Sequence, residues 1–353
     1  MTGPEVSLRV ADLSRRFGTV VALDRVSLEV RRGETLALLG PSGSGKTTAL
    51  RLVAGFDRPD SGTVELGGRL VAGGGGWVPP ERRRIGYVAQ DLSLFPHLDV
   101  RRNIGYGLRI MGADERDARV QELLEMVGLE ASADRMPHQL SGGMAQRVAL
   151  CRAMAPRPDV VLLDEPFSSL DQALRVQLRD EVRALLRLAG QTTVLVTHDQ
   201  QEALAMADRV AVMRAGRIEQ VDAPEVVHAR PATPWVARFL GAGTLVPTTI
   251  GNGLAVTEMG SIRLLAEPPV AADVCLIRSE HLELTSPGEG TIAAVVTARR
   301  FEGSYVVLDL ELPSGLRIRG DAPAAMRAVS VGAELGVSLQ RDPGTVAFVD
   351  DAT

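Results

Sequence analysis

The stretch Gly40-Pro-Ser-Gly-Ser-Gly-Lys-Thr-Thr48 decides the fold of this chain. It follows residues 35–39, an apolar run (TLALL) typical of a buried strand, and it leads into a helix-like run at residues 48–54. A glycine-rich loop between a strand and a helix is a P-loop, whose backbone N–H groups and helix N-terminus bind phosphate. The candidate phosphate-binding residues are Gly40, Pro41, Ser42, Gly43, Ser44, Gly45, Lys46, Thr47 and Thr48.

Lys46 is the chemical centre of this loop. Lysine and arginine together number 39, and Lys46 is the only lysine among them. Since arginine serves ordinary solvated positions equally well, the exception needs a chemical reason. A P-loop lysine reaches the β and γ phosphates of a nucleotide, and the hydroxyl that follows it completes the Mg²⁺ coordination. We therefore expect Lys46 to bind ATP and Thr47 to bind Mg²⁺.

Two further apolar runs end in candidate catalytic residues. Residues 159–166 read DVVLLDEP, a buried strand that ends in two adjacent carboxylates. Asp164 is placed to hold Mg²⁺ through water, and Glu165 is placed to act as the general base toward the attacking water. The run TVLVT, residues 193–197, ends at His198, and the carboxyl edge of a parallel sheet would bring that histidine to the γ phosphate.

Composition limits the function classes. The chain has 353 residues, 45% of them hydrophobic, which suffices for two domains with separate cores. A net charge of -5 argues against nucleic-acid binding, which needs a basic surface. The only cysteines, Cys151 and Cys275, are far apart and lack the spacing of metal ligands, which suits a reducing compartment. No stretch of the sequence resembles a signal peptide or a membrane span. We expect an intracellular protein.

The most specific motif is Leu140-Ser-Gly-Gly-Met-Ala-Gln-Arg147. Ser141 suits a helix N-cap, and the glycine pair exposes amide donors at the start of a helix. With this motif upstream of the acidic strand, the chain resembles the ABC transporter ATPases over essentially all its length. The resemblance implies that Ser141, Gly142 and Gly143 contact ATP held by the P-loop of a second copy, in a head-to-tail dimer. Met144 stands where the family usually has glutamine.

Three more positions match that family one by one. Gln90, after the strand-like residues 85–88, resembles the Q-loop glutamine, which contacts Mg²⁺ and the attacking water. Ser168-Ser-Leu-Asp171 resembles the D-loop, so Asp171 is expected to contact the other subunit. Phe17 lies where the family stacks an aromatic ring on adenine, although an isolated phenylalanine before Gly18 is equally consistent with a core residue.

A helical subdomain is expected at about residues 91–155. Within it, residues 114–129 place Val120, Leu123, Leu124 and Val127 on one helical face before a glycine. The resemblance implies that this subdomain binds two transmembrane permease subunits through residues 92–100 (LSLFPHLDV), an apolar stretch that could instead be core. Such a subunit lies peripherally on the cytoplasmic face of the cell (inner) membrane.

The chain changes character after about residue 240, where glycine-punctuated strand patterns replace helical ones. In residues 305–312 apolar side chains alternate with Asp309 and Glu311, and Pro313-Ser-Gly315 then turns the chain into a second strand. We expect an ABC nucleotide-binding domain at 1–240 and a small OB-like β-barrel at 241–353. The latter resembles the TOBE-type domain of importer ATPases, which serves dimer support in some members and regulatory ligand binding in others.

The sequence therefore predicts an α/β P-loop ATPase core that energises a binding-protein-dependent importer. Residues 79–88 (PPERRRIGYV) and the LFPHL segment most resemble the ferric-iron and polyamine importer ATPases. Ferric iron is the first candidate cargo, and polyamines such as spermidine or putrescine, thiamine, sulfate and sugars remain open, because the permease and an extracytoplasmic binding protein select the cargo. A soluble ABC-type ATPase and a non-hydrolysing scaffold are the other classes to consider.

Overall fold

The computed structural model describes residues 5–168, 172–241, 243–288, 290–323, 326, 328–341 and 343–350. The described residues form two compact units, one ending at Pro224 and one beginning at Glu225. The predicted fold class, an α/β core with a helical part followed by a small β-barrel, is confirmed. The predicted domain boundary after residue 240 falls later in the chain than the division between the units and stays a prediction. None of the helices within the described ranges is long and apolar enough to cross a membrane.

The first unit contains two sheets and the longer helices. Its elements are β1 Val6–Phe17, β2 Val20–Arg31, β3 Thr35–Leu39, α1 Lys46–Ala54, β4 Ser61–Leu66, β5 Arg69–Gly73, β6 Gly76–Trp77, β7 Ile85–Val88, α2 Val100–Ile104, α3 Ala113–Val127, α4 Gly142–Met154, β8 Val160–Asp164, α5 Gln172–Leu188, β9 Thr193–Thr197, α6 Gln200–Met206, β10 Arg209–Arg214 and β11 Arg217–Asp222. The first sheet is antiparallel, with strand order β2-β1-β4-β5-β6, and the second has the order β11-β10-β3-β9-β8-β7.

The second sheet is parallel from β10 to β7. Every residue of β3, β8 and β9 is buried. Because other elements cover both faces of a parallel sheet, the sequences of its strands are nearly continuous apolar runs. Leu39 pairs with Thr197, and Asp164 pairs with Val196. The three strands therefore end side by side at one edge of the sheet.

The helical part follows the predicted pattern. In α3 the buried residues are Val120, Leu123, Leu124 and Val127, the same four that recur on one face in the sequence. The helix ends at Gly128, whose positive φ of 65° suits glycine in a C-terminal cap. The helix expected at the motif of residues 140–147 is α4, and Ser141 is its N-cap.

Arg83 joins several elements of the first unit. Its side chain is inside the protein, with the residue only 1% exposed. The guanidinium donates to the carbonyl oxygens of Leu52 at 2.7 Å and Val53 at 2.8 Å, at the end of α1. It also donates to Val71 in β5 at 3.2 Å and to Val78 at 2.6 Å. Burial lowers the pKa of Arg83 to about 10, so it remains a cation at neutral pH.

The second unit consists mainly of strands. Its elements are α7 Pro224–Ala229, α8 Pro234–Phe239, β12 Gly243–Pro247, β13 Thr249–Gly251, β14 Leu254–Thr257, β15 Gly260–Leu264, β16 Val274–Arg278, β17 Leu282–Thr285, β18 Ile292–Phe301, β19 Tyr305–Glu311, β20 Arg317–Pro323, β21 Glu334–Leu339, β22 Gly344–Thr345 and β23 Ala347–Phe348. These strands form the sheets β12-β16-β23, β13-β14-β15-β22 and β17-β21-β18-β19-β20.

The five-stranded sheet is the nearly closed, barrel-like part of this unit. Its β19–β20 hairpin is the one predicted from alternation: Leu310 lies opposite Ile318, and Asp309 lies opposite Arg319. The apolar members of β19 are buried, while Asp309 is half-buried and its carboxylate accepts from Arg319 at 3.1 Å. The period of two thus separates a core face from a solvated face.

Substitution of Arg83 by methionine tests the buried guanidinium. Arg83→Met leaves the carbonyl oxygens of Leu52, Val53, Val71 and Val78 without this donor in the interior, so the free energy of unfolding of the first unit should fall by about 3 kcal/mol. Arg84→Met is the matched control, since the Arg84 side chain is 70% exposed. Chemical denaturation measures both, and equal unfolding free energies for the two variants would contradict the assignment.

Candidate active site

Three adjacent strand ends bring the predicted site residues together. The P-loop begins after Leu39 in β3, Glu165 follows β8, and His198 follows β9. Since β9 pairs with both β3 and β8 in parallel, these groups share the carboxyl edge of the sheet. Ligands of open parallel sheets bind at this edge.

Lys46 is the first residue of α1 and is only 5% exposed. Its Nζ donates to the carbonyl oxygens of Gly40 at 2.8 Å and Pro41 at 2.9 Å, so the side chain lies back along the loop. Burial lowers the pKa of Lys46, and the negative charges of Glu165 and Asp164 act in the opposite direction. The amine is therefore held within the loop at the start of α1.

Two glycines of the loop are required by close backbone contacts. A Cβ on Gly40 would lie 2.4 Å from the carbonyl oxygen of Met213, and one on Gly45 would lie 2.5 Å from that of Ala22. Gly45 also has a φ of 102°, which L side chains rarely adopt. Since Ala22 belongs to β2, the β1–β2 hairpin packs directly against the start of α1.

Asp164 and Thr47 form a pair of oxygen donors. The Thr47 hydroxyl donates to Asp164 Oδ1 at 3.4 Å, and the Tyr87 hydroxyl donates to Oδ2 at 2.9 Å. Burial raises the pKa of Asp164, while the hydrogen bond from Tyr87 acts to lower it. A hydroxyl and a carboxylate are ligands that suit Mg²⁺, which takes its remaining ligands from phosphate and water. The described part of the chain has no cluster of three or more acidic, histidine or cysteine residues that could hold a metal ion.

Glu165 has an unusual backbone conformation. Its φ of 44° lies in the left-handed region, which is uncommon for a residue with a side chain. The conformation is stabilised by the Glu165 N–H, which donates to the Val196 carbonyl at 2.9 Å, and by Ser168, whose hydroxyl donates to the Glu165 carbonyl at 2.9 Å. Glu165 Oε1 lies 3.2 Å from His198 Nδ1. The two predicted catalytic side chains are thus in direct contact.

The turn after β9 orients His198. The Thr197 hydroxyl donates to Glu202 Oε2 at 2.6 Å and accepts from the Asp199 N–H at 3.0 Å. Asp199 in turn caps α6 by accepting from the Glu202 N–H at 3.1 Å. These contacts place the histidine between the end of β9 and the start of α6, where it is partly exposed.

Gln90 and Phe17 lie at the margins of the site. Gln90 is exposed in the turn after β7, and because β7 is the parallel neighbour of β8, it follows the strand end next to Asp164. Phe17 ends β1 and is 47% exposed, with the Arg15 guanidinium 4.8 Å from its ring centroid. Its ring is therefore not part of the core; it lies at the end of β1, in the hairpin whose Ala22 carbonyl lies close to Gly45.

The motif of residues 140–147 lies at the start of α4. The Ser141 hydroxyl accepts from the Met144 N–H at 3.3 Å, so its hydrogen bond stays within its own helix. Ser141 and Gly142 are exposed, whereas a Cβ on Gly143 would lie 2.8 Å from a Leu178 methyl group. The remaining predicted site residue, Asp171, lies outside the described residues.

Two contacts of the site were not predicted from the sequence. The first is the Tyr87 hydroxyl on Asp164, and the second is Glu202, which is buried and accepts from Thr197. A hydroxyl-bearing residue near the end of the strand beside the acidic strand could have indicated Tyr87. In the sequence Glu202 is one polar residue of a short helix, and no local pattern predicts that it is buried and bonded to Thr197.

Comparison with known proteins agrees with this geometry. The family described as ABC transporter matches residues 23–168, and the TOBE domain matches residues 275–346. The chain is 46% identical to a protein of Rhodococcus jostii named as a Fe(3+) ions import ATP-binding protein, over 87% of this chain and 88% of that one. The chain belongs to the ABC transporter family. It is an ABC ATPase, and ATP is its nucleotide.

Two further comparisons extend the range of relatives. This ABC ATPase is 44% identical to a sulfate/thiosulfate import ATP-binding protein of Chromobacterium violaceum, over 90% of this chain and 87% of the relative. A solved ATP-binding cassette, described as a dimer in a post-hydrolysis state bound to ADP and Pi, has a TM-score of 0.51 and 30% identity. That likeness covers 62% of this chain and 98% of the cassette.

Gly45→Ala tests the close contact beneath the P-loop. The added methyl group meets the Ala22 carbonyl and strains a positive φ, so ATP affinity should fall at least tenfold, about 1.4 kcal/mol or more. Gly128→Ala is the control, because Gly128 also has a positive φ but nothing lies within 4 Å of its added Cβ. It should lower stability by about 1 kcal/mol and leave ATP affinity unchanged. Calorimetric titration with ATP measures both, and unchanged affinity in Gly45→Ala would refute the role of this contact.

Proposed function

We propose that this chain is the ATP-hydrolysing subunit of a binding-protein-dependent importer for ferric iron. The observation that carries the proposal is the convergence of the P-loop, Asp164, Glu165 and His198 at one sheet edge. The cargo is supported by the Rhodococcus jostii relative, whose name specifies Fe(3+) ions import. Sulfate is the second candidate, because the Chromobacterium violaceum relative is nearly as similar.

The proposed roles follow from the chemistry of each group. Lys46 binds the β and γ phosphates, and Thr47 and Asp164 would hold Mg²⁺, which would neutralise phosphate charge when bound. Glu165 is the general base toward the attacking water, and His198 donates to the γ phosphate. The 3.2 Å contact between Glu165 and His198 supports this division, since each side chain limits the orientations of the other. Gln90 would contact the metal and the attacking water, and Phe17 would stack on adenine.

The complete site is proposed to need two copies of the chain. Ser141, Gly142 and Gly143 would bind the ATP held by the P-loop of the partner, and Asp171 would contact the partner subunit. The exposed start of α4 supports this assignment, because the N–H groups and the dipole at a helix N-terminus favour an anion. The dimeric state described for the ADP-bound cassette is a further support.

Residues 92–100 are the proposed binding surface for two transmembrane permease subunits, which would hold the chain at the cytoplasmic face of the membrane. The Phe95 ring lies 4.1 Å from the Tyr106 ring, and the Arg152 guanidinium lies 5.1 Å from Phe95. Arg152 also donates to the carbonyl oxygens of Leu92 and Ser93, and the buried Asn103 side chain binds the Phe95 backbone. The segment is therefore held in one shape, as a docking surface requires.

The second proposed domain, 241–353, is a TOBE-type barrel. The match of residues 275–346 supports its type, and the nearly closed five-stranded sheet supports its architecture. Within it, the buried Arg278 donates to the carbonyl oxygen of Gly241 at 3.2 Å. The start of this domain is thereby connected to its internal Ile277-Arg-Ser-Glu280 segment.

Glu165→Gln tests the proposed general base. Replacing the carboxylate with an amide keeps the shape and removes the basic group, so ATP hydrolysis should fall roughly 100-fold or more while ATP binding persists. Glu122→Gln, on the exposed side of α3, is the matched control and should hydrolyse ATP like the unsubstituted chain. Phosphate release and calorimetric ATP titration provide the two readouts. A Glu165→Gln variant with normal hydrolysis would exclude this residue as the base.

Transport assays decide the cargo. Cells in which Glu165→Gln replaces the native residue should lose uptake of radiolabelled ferric iron, because a cassette without hydrolysis cannot complete the transport cycle. Uptake of radiolabelled sulfate should stay unchanged. Loss of sulfate uptake alone would favour the second candidate, and unchanged uptake of both would argue against an import role for either ion.

A further inference from the structure

We propose that Tyr87 is a positioning residue that determines which carboxylate oxygen of Asp164 faces the metal. The inference rests on the proposed Mg²⁺ site at Asp164 and Thr47. Tyr87 lies in β7, opposite Leu162 of β8, two residues before Asp164 in the neighbouring strand. Its side chain therefore reaches Asp164 from the adjacent strand.

The two oxygens of Asp164 have different partners. Tyr87 donates its hydroxyl hydrogen to Oδ2 at 2.9 Å, whereas Thr47 lies on the side of Oδ1 at 3.4 Å. The longer contact is the weaker one, and it involves the hydroxyl that is expected to bind the metal. With Oδ2 occupied by a donor, Oδ1 is the oxygen directed toward Thr47 and the P-loop. The hydrogen bond thus selects one orientation of the carboxylate.

The Tyr87 ring is itself fixed by α1. Phe56 meets it edge to face, with centroids 5.1 Å apart and an interplanar angle of 86°. Phe56 follows the C-terminal cap of α1, and the Arg51 guanidinium lies 5.8 Å from its ring while bonding to Asp57 at 2.7 Å. The helix that carries Lys46 and Thr47 at one end therefore holds the tyrosine at its other end.

The hydroxyl is needed because Asp164 is nearly buried. The residue is 9% exposed, so leaving Oδ2 without a hydrogen-bond donor would cost free energy. Without the Tyr87 hydroxyl, the carboxylate would turn so that both oxygens share the Thr47 hydroxyl. The Tyr87 hydroxyl supplies the donor that Oδ2 needs, at 2.9 Å. Groups that orient a metal ligand in this way typically change metal affinity strongly when they are removed.

Tyr87→Phe separates this role from packing, since it keeps the ring and its contact with Phe56. The full-length variant should bind ATP in excess Mg²⁺ roughly tenfold more weakly than the unsubstituted chain, while its affinity for ATP in EDTA is unchanged. Tyr305→Phe is the matched control: it removes a hydroxyl from an exposed tyrosine in β19 and should alter neither affinity. Calorimetric titration measures both affinities, and thermal unfolding in EDTA reports on packing.

Three outcomes would overturn the proposal. Equal Mg²⁺-dependent affinity in Tyr87→Phe and the unsubstituted chain would show that the hydroxyl does not orient the ligand. Equal losses with and without Mg²⁺, together with a lower unfolding temperature in EDTA, would assign Tyr87 to packing alone. If the unsubstituted chain binds ATP equally well with Mg²⁺ and in EDTA, the proposed metal site is itself wrong. This result can be told apart from a failure of the Tyr87 proposal, because it is measured without any substitution.

Discussion

Parallel pairing holds the ends of β3, β8 and β9 next to one another, and the chemistry of the first unit depends on this register. Leu39 lies opposite Thr197 and Asp164 lies opposite Val196, so the residues that follow these strands leave the sheet at nearly the same level. A parallel strand cannot slip by one residue without turning its buried side chains to the other face. The packing of the core therefore also fixes the spacing between the phosphate loop, the acids and the histidine.

Within that frame the two adjacent acids separate into different environments. Asp164 is the last residue of β8 and is nearly buried, with donors on both oxygens. Glu165 turns into the left-handed region immediately afterwards, and its carboxylate meets His198. Neighbouring residues in an extended strand point to opposite sides, and the turn adds to that divergence. Two adjacent carboxylates can thus have different roles: the proposed metal ligand is Asp164, and the proposed base is Glu165.

The sequence predicted the elements whose signals are local. Residues 35–39 and 193–197 are strands as expected, because fully buried parallel strands require unbroken apolar runs. α3 was predictable from its recurring apolar residues and Gly128, and the β19–β20 hairpin was predictable from alternation around a Pro-Ser-Gly turn. The same signals put the candidate site at one edge of the sheet, although the roles of its residues and the position of Asp171 remain predictions.

Contacts between distant segments could not be predicted in this way. Arg83 lies between two other arginines, and nothing local distinguishes the buried guanidinium from its neighbours. The Tyr87 hydroxyl bond and the positive φ of Glu165 depend on where β7, β8 and β9 are placed relative to one another. Such features arise only after the chain has packed, so they carry no periodicity or spacing of their own.

The buried Arg83 also affects how the first unit opens. Because one guanidinium bonds the end of α1, β5 and the segment before β7, these elements cannot separate without breaking several buried hydrogen bonds at once. Their amide protons should consequently exchange with solvent as one cooperative block. The exposed turn at Gln90 takes part in none of these Arg83 bonds, so the amide protons of that turn are not tied to the block by them.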